Sequence, residues 1–445
     1  MVLTVAVLAS FVSFLDGTVV NVALPAIARD LGGGLSTQQW VVDAYLVTLG
    51  AFILVAGSLS DVLGRVLVLR IGLIGFALTS VAIAGAPTAE FLIIARALQG
   101  VAGALLVPSS LALITSTFRG AAQARAIGIW TGATTIAMLA GPLVGGLFVD
   151  TLSWRLVFLV NVLPIGVTMW LLVRLGHADH RRPGARVDIL GAVLCAAGLG
   201  GIVFALIEQP NLGWASPVIW MPGVLGILSF AGFLVRQRLA RQPMMPLGLF
   251  RSRNFWAGNL ATVFVYAALS LNGFVVSVYL QQGAGLSATL AGLASLPSTI
   301  LMILLSSRMG ALAGKYGPRL FMTLGPLVMA AGGLLLLGVR SDFDYWTQVL
   351  PGIVVWGLGL TATVSPLTAA VLGAIESERS GIASAVNNAV SRVAGLLAIA
   401  AVSAVVGGSL DLEGFHRAAI FAAVLMLLGS TASFLGIRNH LSRRD

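Results

Sequence analysis

The sequence predicts an all-α protein that crosses a membrane many times. Three observations carry that prediction. Only 9% of the residues are charged, where an ordinary soluble domain has about 25%. Mean hydropathy is +1.00. Apolar runs of the length needed to cross hydrocarbon, about 20 residues, recur along the whole chain. The 53 glycines among 445 residues fit the same class, because small residues let membrane helices approach closely.

Taken in order, the apolar runs give about fourteen spans. Six centre near Phe14, Phe52, Ile74, Val101, Ala137 and Leu163, two near Gly198 and Ile227, and six near Tyr266, Leu296, Met329, Leu358, Gly395 and Met426. The first run has no basic leader and no obvious cleavage site, so it reads as a span and not as a signal peptide. "QQGAGLSATLAG" makes the start of the span near Leu296 the softest. The expected division is a six-helix bundle over 1–175, two inserted helices with basic loops over 176–254, and a second six-helix bundle over 255–445.

Fourteen spans place both ends on one side, and charge supports this. Of the 26 Lys and Arg residues, 21 fall in alternate loops on the side of the termini, four (Arg29, Arg155, Arg340 and Arg417) on the other, and Arg96 within a span. Basic loops stay in the cytoplasm, so both termini are expected there. The same scatter excludes nucleic acid as the reason for the net charge of +10, since no one face gathers the basic residues. Cys195 is the single cysteine, so an internal disulfide is impossible.

Two charged residues stand out in this apolar setting. Asp16, in "LDGTVVNVALP", lies about 20 Å of helix from the start of its span. Arg96 lies in the fourth span, on one face with Gln99, Gly100 and Gly103. An intramembrane charge needs a partner, so the two are expected to meet in the folded N-terminal half. Asp43, in "WVVDAYLV" about one turn below Trp40, is the other candidate acid. A carboxylate pulled one way by burial and the other by a guanidinium can load and release a proton. The competing reading is a fixed pair that only fastens two helices. Arg392 is expected about one turn into span thirteen, and Glu208 as a solvated cap at the end of span seven.

Other motifs repeat or cluster. "GSLSDVLGRV" (57–66) and "GALAGKYGPR" (310–319) occupy equivalent loops 253 residues apart, as a duplicated unit with two inserted spans requires. In the first copy, Gly57 and Gly64 permit a tight turn and Asp61 and Arg65 are spaced to pair. In the fifth span, Gly141 and Gly145 form a small-residue face with Pro142 between them. The residues proposed to line a mostly apolar cavity are Asn21, Tyr45, Phe52, Gln99, Trp130, Asn259, Tyr266, Trp356 and Asn387. The intramembrane amides Asn161, Asn272 and Asn388 either touch substrate or bridge helices.

Together "LDGTVVNVALPAI", "GSLSDVLGR", "RALQGVAGALLVPSSLALI", "GPLVGGLF", "WRLVFLVNVLPIG" and "SGIASAVNNAVSRVAG" resemble the major facilitator superfamily, in its fourteen-span drug:proton antiporter branch. The resemblance covers nearly the whole chain. It implies two six-helix bundles plus two central helices, and proton-coupled efflux of small amphiphilic drugs or toxic metabolites. It implies a gate latch in the Gly57, Asp61, Gly64 and Arg65 loop. It also implies that Gly141, Pro142, Gly145 and Gly146 mark an exporter. Val62, Val66 and Leu67 depart from the basic residues common in that loop, and Gly314 replaces the acid in the second copy.

No nucleotide-binding loop is present, because "GALAGK" has the wrong spacing and lacks the following Ser or Thr, so no ATPase partner and no cofactor are expected and the energy is expected from an ion gradient or from the substrate's own gradient. His177 and His180 sit in a polar loop and are not read as metal ligands. No nucleophile–base cluster suggests an enzyme. The expected partners are protons, a small-molecule substrate and the lipid bilayer, for a monomer in a bacterial inner membrane. Two alternatives remain: an exporter dedicated to one metabolite or antibiotic, and a non-transporting membrane sensor.

Overall fold

The structure is a computed structural model that describes residues 1–175, 187–376 and 379–439. The side chains of Asp61, Ala121, Ala124 and Ser380 also lie outside the described part, as do His177 and His180. Among the described residues, 14 helices are long and apolar enough to cross a membrane. The chain divides into two compact units: Met1–Met244 with Leu286–Gly292, and Met245–Gly285 with Leu293–Asp445.

The first unit contains α1 (Val2–Leu31), α2 (Gly34–Leu63), α3 (Arg65–Ala84), α4 (Ala89–Thr117) and α5 (Gly120–Thr151). Its sixth span is broken into α6 (Leu156–Leu159) and α7 (Val162–Leu175). The inserted spans are α8 (Ile189–Leu212) and α9 (Pro217–Leu239). Helix α1 packs against α2, α4, α5 and α7, and α4 also packs on α2 and α3. Helices α8 and α9 pair with each other, and α8 lies on α2, so the inserted spans group with the first unit. Their pairing needs glycine: a Cβ on Gly226 would sit 2.8 Å from the Ile202 nitrogen, and one on Gly201 3.0 Å from the Gly226 Cα.

Glu208 is not a solvated cap. It is half-buried and accepts a 2.7 Å hydrogen bond from Trp40 Nε1 across the α2–α8 contact. At the other end of α8, Asp188 caps the helix through the Gly191 amide at 3.0 Å and also accepts from Arg236 and Gln237 of α9.

The expected turn around Gly57 is tighter than the motif suggests. Helix α2 continues through Gly57 to Leu63, and Gly64 alone (φ 103°, ψ 144°) separates it from α3. Arg65 donates from Nη1 to the Ala112 carbonyl of α4 at 3.3 Å.

The second unit contains α10 (Arg253–Gln282), α11 (Ala288–Ala294), α12 (Leu296–Tyr316), α13 (Pro318–Leu335), α14 (Leu350–Leu372), α15 (Ser380–Ala400), α16 (Val402–Val406) and α17 (Leu412–Gly436), with the start of α11 grouped in the first unit. Helix α10 packs on α14, α15 and α17, and α13 on α14 and α17. Gly317 (φ 88°, ψ 149°) is the one residue between α12 and α13. It is the counterpart of Gly64 in the repeat, with nearly the same conformation.

Trp356 is buried, its ring against Gly333 of α13 and its backbone against Gly332. Arg392 lies three turns, about 18 Å, beyond the start of α15 rather than one.

Candidate functional site

The densest polar cluster in the first unit centres on Asp16, which is fully buried in α1. Its Oδ2 accepts from Arg96 Nη1 at 2.7 Å, and its Oδ1 accepts from Asn161 Nδ2 at 3.0 Å. Asn161 sits in the turn between α6 and α7. Pro164 lies in the first turn of α7, where its missing N–H is tolerated, so the span restarts there.

Arg96 is 1% exposed, and three acceptors hold it. Besides Asp16, its Nε donates to the Val41 carbonyl at 2.9 Å and its Nη1 to Gln99 Oε1 at 2.7 Å. Gln99 Nε2 then donates to Ser80 Oγ at 2.9 Å. The Tyr45 ring lies 4.3 Å from the guanidinium carbon, and the Phe158 ring 5.8 Å. Spans one, two, three, four and six thus meet at one charge pair. Small residues make room for it. A Cβ on Gly103 would sit 2.9 Å from the Tyr45 hydroxyl, and one on Gly100 would collide with the Tyr45 carbonyl.

Tyr45 and Gln99 therefore belong to this network and are buried in it. Of the two roles open to Asn161, substrate contact and helix bridging, the geometry supports the bridge, to Asp16. The Val41 carbonyl carries no side-chain signal, so no reading of residue types could have found it.

Asp43 behaves differently. It is fully buried in α2, and neither carboxyl oxygen has a hydrogen-bond partner among the described residues. Any charge there stands uncompensated by the protein.

The remaining candidates are spread through both units. On α5, a Cβ on Gly145 would sit 2.7 Å from Val19 and 2.8 Å from Val22, and one on Gly141 would collide with Thr18. The glycine face thus lies on α1, the helix that carries Asp16. Gly146 meets Thr289, where a Cβ would approach the Cα to 2.5 Å, and α5 runs unbroken through Pro142. Trp130 donates to Ser10 Oγ at 2.9 Å and sets its edge against Phe14. Asn21 and Phe52 are half-buried. In the second unit, Asn387 Nδ2 donates to Asn259 Oδ1 at 3.1 Å and Thr262 Oγ1 at 2.8 Å, and Tyr266 is half-exposed nearby on α10. No group of acids, histidines and cysteines suited to a metal ion occurs among the described residues.

Outside the spans, burial pushes the Asp188 carboxyl up. The Gly191 amide, Arg236 and Gln237 outweigh that and hold it below the usual carboxylate range.

The chain matches the family model described as "Major Facilitator Superfamily" over residues 6–399 and 260–444. It is 33% identical over 403 residues to the methylenomycin A resistance protein of Bacillus subtilis, covering 90% of this chain and 86% of that one. It is 34% identical over 411 residues to the multidrug resistance protein Stp of Mycobacterium tuberculosis, covering 90% and 74%. The puromycin resistance protein of Streptomyces alboniger is 33% identical over 412 residues, with 92% and 82% covered. Among solved structures, a peptide transporter bound to sulfate superposes with a TM-score of 0.72 at 16% identity over 97% of this chain and 93% of that one. A D-xylose–proton symporter gives 0.70 at 14% identity over 98% and 97%. These solved structures speak for the fold. With 14 spans, a family match along nearly the whole length and relatives that confer drug and antibiotic resistance, the chain belongs to the major facilitator superfamily of transporters.

Proposed function

We propose that this transporter is a proton-driven exporter of small amphiphilic drugs or toxic metabolites. The observation that carries the reading is the sealed Asp16–Arg96 pair, together with a second buried acid, Asp43, that has no hydrogen-bond partner among the described residues. A proton on Asp16 removes the charge that Arg96 pairs with, so proton and guanidinium compete for one carboxylate. Asp43 gains or loses a proton without breaking a protein contact. Release of Arg96 would loosen five spans at once, which converts a proton step into a helix rearrangement. The Gly141–Gly145 face presses on the same α1, so movement of that helix reaches α5 directly.

The excess of Lys and Arg in alternate loops supports cytoplasmic termini in a bacterial inner membrane. The molecule is expected to act as a monomer, with protons and the exported compound as its partners. A second reading, an exporter dedicated to one antibiotic, is favoured by relatives named for methylenomycin A and puromycin alone.

The test is efflux of ethidium and an antibiotic panel from an efflux-deficient bacterium, with and without a protonophore. Native cells should export, and the protonophore, Asp16→Asn and Asp43→Asn should each stop export while leaving membrane insertion intact. Export that survives all three overturns proton coupling through these acids. A single exported compound would select the dedicated exporter.

A further inference from the structure

Arg392 is the counter-case to Arg96. It lies deep in α15, a helix of the second unit, and its Nε is shut off from solvent with no acceptor in reach. The ion pairs found among the described residues involve Arg96, Arg155, Arg236 and Arg417 instead. The described acids of this unit, Asp342, Asp344, Glu376, Asp411 and Glu413, all lie in loops or at helix ends. Glu378 and Asp445 lie outside the described residues. A guanidinium at membrane depth is costly unless something pairs with it. Among the described residues of this unit, none does.

The surroundings of Arg392 can be placed by register. Helices α10 and α15 run parallel: Asn387 bonds Asn259 and Thr262, and eight residues further Gly395 meets Ser270, eight beyond Thr262. Halfway between these contacts, Tyr266 is level with Ser391 and Arg392. The Tyr266 and Arg392 side chains are both half-exposed. Ser391 donates to the Asn388 carbonyl at 2.8 Å and is committed. The uncommitted groups at this level are therefore a guanidinium fork and a phenol O–H, both hydrogen-bond donors. Below them the Asn387 amide is bonded on its donor side. An acceptor-rich anion complements this set, and a planar carboxylate fits the guanidinium bidentately. The fixed charge of Arg392 repels a cation here.

We propose that Arg392 and Tyr266 form an anion-recognition subsite, and that the exported compound carries a carboxylate or an acidic enol or phenol on an otherwise apolar frame. This rests on the export reading and names its substrate class. It also divides labour between the units: the arginine of the first is committed to an internal acid, and that of the second is left for cargo.

The test uses the purified full-length chain in uncharged detergent. The probes are naphthoate, an aryl carboxylate, and naphthamide, its uncharged counterpart, and the readout is ligand-induced thermal stabilisation. Naphthoate should stabilise the native chain at concentrations at least about tenfold below naphthamide, as a charge-assisted bond to a guanidinium predicts. Arg392→Gln should abolish the difference, and Arg392→Lys should keep part of it. Without ligand, Arg392→Gln should melt at or above the native temperature, because it removes a charge that has no partner. Equal effects of the two probes on the native chain, including no effect of either, overturn the proposal. So does a preference that survives Arg392→Gln, or a sharp loss of unliganded stability in that variant, which would reveal a structural partner. Protonophore-sensitive efflux is scored separately. Anion preference without gradient-driven export sinks the proton reading alone, and the reverse sinks this one alone.

Discussion

Replacing Arg96 with Met should destabilise the first unit far more than replacing Arg96 and Asp16 together. The single change strips Asp16 of its counter-charge and leaves Gln99 Oε1 without its donor, so that the carboxylate keeps only the 3.0 Å bond from Asn161. Breaking one side of a buried pair costs about 3–5 kcal/mol. For a unit of about 250 residues, that corresponds to a fall on the order of 10 °C in Tm. Asp16→Asn leaves Arg96 as an unpaired charge and should cost a similar amount. The Asn161 amide softens that loss, since its own Oδ1 has no partner and a flip would let it accept from the new amide. In the double variant no charge remains to strand, so much of the loss should return, with a coupling of about 2–4 kcal/mol. The assay is thermal unfolding of the four purified proteins in one detergent. Single changes costing under about 1 kcal/mol, or a double variant equal to the sum of its parts, would refute the view that Asp16 and Arg96 hold each other in the membrane.

Two further outcomes follow from features away from the charge pair. Gly64→Ala and Gly317→Ala each force a side chain into a glycine-only conformation and should cost about 1–3 kcal/mol, whereas Gly17→Ala, with open space around it, should be neutral or mildly stabilising by thermal melt. The Asp188 carboxyl is held below its usual range, so its contribution to stability is present above the unfolded value near pH 4 and is lost as pH falls through the lower folded value. Native melting temperatures should drop across that acid window, and Asp188→Asn should flatten the drop.

Much of this architecture was legible because the bilayer imposes few solutions. Span count follows from run length. The meeting of Asp16 with Arg96 follows from the cost of an isolated charge and the shortage of other acids in that half. What depends on helix rotation was not legible. Trp356 looks the same in sequence whether it faces a cavity or, as found, the glycines of α13. Glu208 sits near a span end, where a solvated cap is the usual outcome, and only the α2–α8 contact brings Trp40 to it. Asn161 reached the site through a break in span six, for which Pro164 was the one available hint. Arg392 lies further along its helix than the sequence suggests because α15 begins at Ser380.

The one-residue links at Gly64 and Gly317 also limit how spans two and three, and again ten and eleven, move against each other. A single residue reaches no more than about 3.6 Å, so each following helix starts where the last one stops. Neither helix of such a pair can slide along its axis by a full turn, about 5.4 Å, without drawing its neighbour with it.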